Sequence, residues 1–164
     1  MVLFFALHTI GGRYTYSNVP YDAWSEALFG QSIGATFGFT RNNYDRLVHL
    51  SYGLLAVLPI REFLQRHVGT SPRLALYIAV ESVIAVSALY ELLEWFLSLV
   101  LAGPTANDYN GQQGDMWDAQ KDMALATLGA LVSSAVLAVR AYRSSGAGDS
   151  AGRAGAGRNS PRSS

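Results

Sequence analysis

The stretch LALYIAVESVIAVSALYELLEWFLSLVLA, residues 74–102, decides the fold class, because it is longer than the ~20 apolar residues that a helix needs to cross a bilayer. Two further apolar runs cover residues 44–60 and 123–139. Half of all residues are hydrophobic and only 15% are charged. A buried helix of a soluble protein could carry one such run, but three in a small chain favour the membrane. The sequence therefore predicts an all-α, polytopic integral membrane protein with three full spans.

A fourth apolar segment, MVLFFALHTI, opens the chain at residues 1–10 and is about half the length of a span. It lacks the charged region and the small-residue cleavage site of a signal peptide. We therefore expect a truncated N-terminal span. On this interpretation either Met1 is an internal start within a longer protein or the segment is only partly inserted.

The remaining stretches are more polar. Residues 11–43 are rich in glycine, tyrosine and polar side chains, which predicts loops and interfacial segments. Residues 144–164 consist mainly of Gly, Ser, Ala and Arg, a composition that has little to bury and predicts a disordered tail. The predicted domain organisation is thus a membrane-embedded helical domain at 1–143 and a disordered cytoplasmic tail at 144–164.

The net charge and the cysteine count exclude some functions, and the distribution of arginine indicates how the spans are oriented. The net charge is zero, so no overall field favours nucleic acid as a partner, and the absence of cysteine removes disulfides and thiolate chemistry. Arginines are concentrated in the connection between the first two runs and at the end of the third, at positions 61, 66, 73, 140 and 143. By the positive-inside rule, this connection and the C-terminus are expected in the cytoplasm.

With this topology, the ionisable residues of the three runs fall on one side of the membrane. They are Asp45 and His49 in the first run, Glu91 and Glu94 in the second, and Asp115, Asp118 and Asp122 at the start of the third. At 100° per residue, each helix presents its polar groups on one narrow face. Ionisable groups within spans are costly unless they face the protein interior or a wet cavity. We therefore expect one polar site near the outer leaflet, with these faces pointing at one another.

Several of these residues also have simpler interpretations. Asp115 can cap the third helix, since carboxylates there accept unpaired amide hydrogens. Asp45 can pair with Arg41 or Arg46, and a single His49 is more often a hydrogen-bonded interior histidine than a metal ligand. Two carboxylates one turn apart within an apolar run, as at 91 and 94, are expensive without a cation or a shared proton.

Because carboxylates outnumber basic partners at this level, the site calls for protons, a cation or a cationic substrate. Oxygen ligands with one or two histidines suit Mg, Mn, Zn or Fe. The predicted metal ligands are Asp45, His49, Glu91, Glu94, Asp118 and Asp122. Of these, His49, Asp118 and Asp122 are the predicted catalytic residues.

The sequence resembles the YjdF family of bacterial inner-membrane proteins, a domain of unknown function, and more distantly VanZ-like membrane proteins. The resemblance covers residues 1–143 and rests on HTIGGRYTYSNVP (8–20), RNNYDRLVH (41–49), YELLEW (90–95) and GDMWDAQKDM (114–123). It implies a multi-pass protein of the bacterial plasma or inner membrane. The matched motif positions are His8, Gly11, Tyr14, Tyr16, Arg41, Asp45, His49, Glu91, Glu94, Asp115, Asp118, Gln120 and Asp122.

Three functions are open at this point. In the first, a metal-assisted enzyme or binder acts on a lipid-linked or anionic envelope substrate, which would be bound by Arg13, Arg41, Tyr14 and Tyr16. In the second, a proton- or cation-coupled transporter uses the intramembrane carboxylates, with Glu81 as a further step toward the inner face. In the third, the polar cluster only fixes helix packing or a partner subunit within the lipid bilayer.

Overall fold

The described part of the chain is helical, with no strand in residues 1–100 and 112–156 of this computed structural model. For residues 144–156 only the backbone is described. The helices are α1 (Val2–Arg13), α2 (Tyr21–Phe29), α3 (Ile33–Phe37), α4 (Tyr44–Phe63), α5 (Pro72–Val100) and α6 (Asp118–Ala156). A π-helical turn, Leu64–Val68, extends α4. The all-α prediction is confirmed.

Three helical segments are long and apolar enough to cross a membrane, as predicted: Tyr44–Val68, Pro72–Val100 and Asp118–Arg143. The first segment continues past its apolar run to Val68, and the third begins before its run at Asp118 and ends after it at Arg143. Helix α4 begins at Tyr44, as its apolar run does, and there the Asn42 side chain accepts a hydrogen bond from the Tyr44 amide at 3.0 Å. The last two residues of the predicted second run, 101 and 102, lie outside the described residues.

The N-terminal segment forms α1, a short apolar helix that packs on α4. Residues 11–43, predicted as loops and interfacial segments, also contain two short helices that were not predicted, α2 and α3. These helices depend on local hydrogen bonds, which apolar periodicity does not reveal. Asp22 accepts the Gly34 amide at 2.7 Å, and Ser32 caps α3 by accepting the Ala35 amide. Gly30 ends α2 in the left-handed conformation that glycine adopts without strain.

Each long helix buries one stripe of residues spaced about four apart. On α5 the stripe is Ala75, Ala79, Val83, Ser87 and Glu91. On α6 it includes Asp118, Asp122, Ala126 and Ala130, and on α4 it includes Asp45, His49 and Gly53 with Ala56 and Val57. All three stripes are small and apolar in the middle of the bundle and become polar at the same end, which is here called the site end.

Helices α4 and α6 approach so closely that neither can carry a larger side chain at the crossing. A Cβ on Gly53 would overlap the backbone oxygen of Ala126, and one on Gly129 would lie 2.6 Å from the Leu50 oxygen. Small residues at a crossing are typical of membrane helices, which associate through backbone proximity and dispersion contacts. Gly53 follows His49 by one turn and Ala126 follows Asp122 by one turn, so this contact fixes the spacing of site residues on the two helices.

Large hydrophobic side chains cover the outside of the bundle. Phe63, Tyr77, Leu89, Trp95 and Leu131 are each more than half exposed, as expected for surfaces that face lipid rather than water. Residues 157–164 lie outside the described residues. The predicted division into a membrane domain and a disordered tail after residue 143 stays a prediction.

Candidate functional site

The polar ends of the three stripes meet at the site end of the bundle. Asp45, His49, Ser87, Glu91, Asp118 and Asp122 are all buried there. They separate into two layers with different charge balance. In the outer layer, at the ends of the helices, arginines pair with aspartates. The other layer lies about one helical turn further into the bundle.

The outer layer, here called the arginine clamp, consists of Arg41, Arg46 and Lys121 with Asp45, Asp115 and Asp118. The Arg41 guanidinium donates from Nη2 to Asp45 Oδ2 at 2.8 Å and from Nη1 to Asp118 Oδ1 at 2.5 Å. Arg46 Nη2 reaches Asp115 Oδ2 at 2.6 Å, and Lys121 Nζ reaches the same oxygen at 2.5 Å. Three cations therefore balance three carboxylates, and the clamp ties the start of α4 to the start of α6.

Backbone contacts reinforce this connection. The Asn42 amide donates to Gln113 Oε1 at 2.9 Å, and Gln113 Nε2 donates back to the Asn42 oxygen at 2.8 Å. Gln113 adopts a positive φ of 45°, a strained conformation that the paired contact with Asn42 helps to hold. The segment before α6 is thus held against α4 by both charge and amide pairing.

The surroundings of Arg41 and Asp115 favour the charged forms of these two residues. Burial lowers the pKa of Arg41. The hydrogen bond from its guanidinium to Asp118 and the charges of Asp45, Asp118 and Asp122 raise the pKa by a larger amount, so it lies above the ordinary value. The Lys121 hydrogen bond, followed by the Trp117 amide, lowers the pKa of Asp115 to about 2. Asp115 accepts that amide at 3.1 Å in the turn before α6, which begins at Asp118, so Asp115 is not the predicted cap of that helix.

The deeper layer, here called the inner cluster, consists of His49, Glu91, Glu94 and Asp122. One ligand atom from each of His49, Glu91 and Asp122 lies within 4.8 Å of the others. Ligands of a single ion at metal–ligand distances of about 2.0–2.2 Å lie roughly 3–4 Å apart, so modest side-chain movement would bring these three atoms around one metal. A second group, Asp45, Asp118 and Asp122, meets the same 4.8 Å limit, but Arg41 already neutralises two of its members.

Two carboxylates of the inner cluster each have one buried oxygen that receives no hydrogen bond. Glu91 Oε1 is 3.3 Å from His49 Nε2, yet it receives no hydrogen bond, and neither does Asp122 Oδ1. Glu91 is only 8% exposed and Asp122 only 3%. In the described part of the chain, neither carboxylate pairs with a lysine or arginine. A buried, unsatisfied carboxylate is costly, so these oxygens point to a bound cation or proton.

A cavity of about 210 Å³ opens beside the inner cluster, between α1, α4 and α5. His49, Glu94 and Asp122 line its polar end. His8 of α1 lines the same wall, and its Nδ1 is hydrogen-bonded to the Tyr16 hydroxyl at 3.0 Å. Tyr90 in turn donates to the Tyr16 hydroxyl at 3.4 Å. Helix α1 and the segment after it therefore supply one wall of the site.

Tyr16 occupies this position at a conformational cost. Thr15 and Tyr16 have positive φ values of 52° and 50°, which non-glycine residues rarely adopt. The Tyr16 ring packs where Gly11 leaves room, since a Cβ there would overlap the ring. Strained residues held in place by their surroundings often lie at functional sites.

The structure brings together most, but not all, of the residues predicted for the site. Asp45, His49, Glu91, Glu94, Asp118 and Asp122 converge, and Arg41 and Tyr16 join them. By contrast, Arg13, Tyr14 and Gln120 are exposed, and Tyr14 packs edge-on against Trp24. The proposed substrate-binding roles of Arg13 and Tyr14 stay predictions.

Some site residues had no functional signal in the sequence. Ser87 lies on the α5 stripe one turn before Glu91, and Tyr90 directly precedes Glu91. Tyr52 lies three residues after His49. The stripe spacing of four could have indicated Ser87. From the sequence, Tyr52 and Tyr90 cannot be told from ordinary core aromatics. They line the cavity because α1 packs beside them.

Apolar spanning helices with a buried carboxylate and histidine cluster at one end define a multi-pass α-helical membrane protein. The chain belongs to the family described as "Predicted membrane protein (DUF2238)", whose model matches residues 1–143. It is 39% identical over 130 residues to the Inner membrane protein YjdF of Escherichia coli (strain K12). That match covers 79% of this chain and spans 58% of the length of the relative. No solved structure matches the chain.

Proposed function

We propose that this protein is a metal-dependent enzyme of the bacterial inner membrane that acts on a lipid-linked or anionic envelope substrate. The observation that carries the proposal is the pair of buried carboxylate oxygens, Glu91 Oε1 and Asp122 Oδ1, that lack hydrogen-bond donors beside His49. The inner-membrane assignment rests on the name of the YjdF relative together with the three apolar spans.

The chemistry of the donors fits a divalent metal. An imidazole nitrogen and two carboxylates suit Zn, Mn or Fe, and a carboxylate-rich set also suits Mg. A metal held by His49, Glu91 and Asp122 would supply a Lewis acid that polarises a phosphate or carbonyl oxygen and activates water. Glu94 lies on the cavity wall beside these ligands and is placed to accept a proton from a reacting group.

The arginine clamp supports a positioning role for the outer layer. The clamp is charge-balanced without a ligand, because three cations already bind its three carboxylates: Arg41, Arg46 and Lys121 bind Asp45, Asp115 and Asp118. Its action on catalysis would be to fix α4 against α6 and thereby set the distance between His49 and Asp122. The structural function considered for the whole polar cluster is thus best supported for this layer.

A transport function has less support. Glu81, the residue expected to continue a polar path toward the inner face, is exposed on α5 and does not belong to its buried stripe. It lies ten residues from Glu91, which is roughly 15 Å along a helix. The described residues therefore favour a site confined to one end of the bundle.

The proposed orientation places the site end at the outer leaflet and the C-terminus in the cytoplasm, following the arginine distribution. The natural absence of cysteine makes a direct test possible. Met116→Cys, at an exposed site-end position, should react with a membrane-impermeant maleimide in spheroplasts, whereas Ser71→Cys at the opposite end should not. The reverse labelling would overturn the orientation.

The decisive experiment is metal stoichiometry measured by elemental analysis. The protein would be purified in mild detergent without chelators or a histidine tag, as wild type, Asp122→Asn, Glu91→Gln and the control Glu62→Gln. Glu62 lies at the opposite end of α4, and its side chain is 45% exposed. We expect about one metal per chain in the wild type and control and almost none in the two site variants. Metal-free wild type, or equal metal in all four proteins, would overturn the proposal.

A further inference from the structure

The cavity beside the inner cluster has two chemically different ends. Its polar end is formed by Asp45, by three residues of the inner cluster (His49, Glu94 and Asp122) and by Ser87. The hydroxyl oxygen of Ser87 is buried and has no hydrogen-bond partner. The other end of the cavity is walled by Phe4, Phe5, Tyr52 and Val86. The Phe4 and Tyr52 rings lie 5.2 Å apart and close the cavity floor between α1 and α4.

The apolar end reaches the outside of the bundle between α1 and α5. Beside the inner cluster the gap is closed, since the rings of His8 and Tyr90 lie 6.1 Å apart. One turn further into the bundle, Phe5 and Val86 both line the cavity and are 58% and 47% exposed. In a membrane-spanning bundle, this opening faces the hydrocarbon region rather than water.

We propose that this cavity binds the first part of the apolar chain of an amphiphilic substrate, which reaches the site sideways from the bilayer through the gap between α1 and α5. The inference deepens the proposed function and rests on it, because the phosphate-type head group would be held by the metal of the inner cluster. The cavity favours a lipid-linked substrate over a water-soluble anion, since a soluble anion has no apolar chain to contact the aromatic wall.

Size and polarity are consistent with such an occupant. Dry apolar cavities of about 150 Å³ bind benzene, so about 210 Å³ accommodates several carbons of a chain while the rest remains in the bilayer. Ser87 Oγ lies at the boundary between the two ends, and its buried hydroxyl can donate to the first oxygen of the head group. His8, on the same wall, offers a second polar contact.

The test uses dodecyl phosphate that carries a photoreactive diazirine on its chain, at a fixed mole fraction in proteoliposomes. Wild type is compared with Val86→Trp, which fills the opening, and with Leu89→Trp, a matched change at an exposed position of α5 outside the cavity lining. We expect at least tenfold less cross-linking in Val86→Trp and no change in Leu89→Trp. In the wild type, cross-linked peptides should contain residues 4–8 and 86–90.

Metal content measured on the same samples separates the two proposals. If Val86→Trp loses cross-linking but keeps its metal, the chain subsite is supported independently of the metal ligands. If wild type is metal-free yet cross-links within the cavity, the proposed function fails and the chain subsite stands.

Equal labelling of wild type and Val86→Trp would overturn the inference, as would labels confined to outer surfaces of the bundle. No labelling of the wild type would also overturn it, because another protein segment would then cover the opening.

Glycerol phosphate carries the head group without the chain, and we expect it to bind at least tenfold more weakly than dodecyl phosphate. Affinity equal to that of dodecyl phosphate would assign the site to a soluble phosphate instead. Val86→Phe, with a smaller added volume, replaces Val86→Trp should the latter not remain monodisperse.

Discussion

Arg41 Nη1 lies 2.5 Å from Asp118 Oδ1, although the two residues are 77 positions apart in the sequence. The same guanidinium holds Asp45 at 2.8 Å, so one side chain bridges the first turns of α4 and α6. Arg41 is 12% exposed and Asp118 only 5%, which makes this a largely buried ion pair. Such pairs are expensive to break from one side, because the remaining charge stays buried without a partner.

We therefore expect Arg41→Gln to lower the free energy of unfolding by about 3–5 kcal/mol, because Asp45 loses its buried cation. Asp118 keeps only the longer contact with Arg46 at 3.3 Å. Thermal unfolding in mild detergent measures the change. The matched control is Arg66→Gln, which removes an exposed pair with Glu62 at 3.6 Å and should cost about 0–1 kcal/mol. Equal, small effects in both variants would show that the clamp does not hold the helices together.

Substitution of Gly53 should disturb both stability and the site. In Gly53→Ala, the added methyl group meets the Ala126 backbone, which cannot rotate away, so α4 and α6 must separate. We expect a loss of about 1–3 kcal/mol and weaker metal binding, since His49 and Asp122 lie one turn away on the same helices. Gly12→Ala is the control, because nothing lies within 4 Å of its added Cβ and helical alanine is favoured by about 0.5–1 kcal/mol. Unchanged stability in Gly53→Ala would contradict the observed helix spacing.

The apolar runs were enough to predict the three spans, and the alternating direction of the spans was enough to bring Asp45, Glu91 and Asp122 to one level. The division into a clamp and an inner cluster was not predictable in the same way. It depends on how far the Arg41 and Arg46 side chains reach, and spacing along the chain does not determine that reach. Similarly, α2 and α3 depend on hydrogen bonds such as Asp22 to Gly34, and the cavity wall from α1 depends on tertiary packing.

The pH dependence of stability should carry a contribution from Asp115. Its pKa is about 2 in the folded protein, chiefly because of the Lys121 hydrogen bond, against about 3.9 for an unperturbed Asp. The ionised form therefore stabilises the fold fully above about pH 4, and this contribution disappears as the pH falls through about 2. Asn at 115 keeps the acceptor for the Trp117 amide but not the charge. The difference in melting temperature between wild type and Asp115→Asn should be constant above about pH 5 and shrink below about pH 4.

A second variant checks the cause of that pH dependence. Lys121→Met removes the largest influence on the folded-state pKa of Asp115, so the Asp115 contribution should be smaller than in the wild type and should be fully lost at a higher pH. A difference between wild type and Asp115→Asn that is the same at pH 2.5 and pH 7 would show that the carboxylate is not bound by Lys121 in the folded protein.

If the inner cluster binds metal, adding metal should reverse the order of stability of wild type and Asp122→Asn. If the cluster serves only helix packing, the order should not change. Without metal, Asp122 is a buried carboxylate whose Oδ1 has no hydrogen-bond donor, which costs about 1–3 kcal/mol. Asp122→Asn removes the charge with little change in shape, so in chelator the variant should unfold at a higher temperature than the wild type. With metal at roughly a hundred times its dissociation constant, the wild type gains about 2.7 kcal/mol and the order reverses. If the carboxylate served only helix packing, Asp122→Asn would be the less stable protein under both conditions, and added metal would change neither.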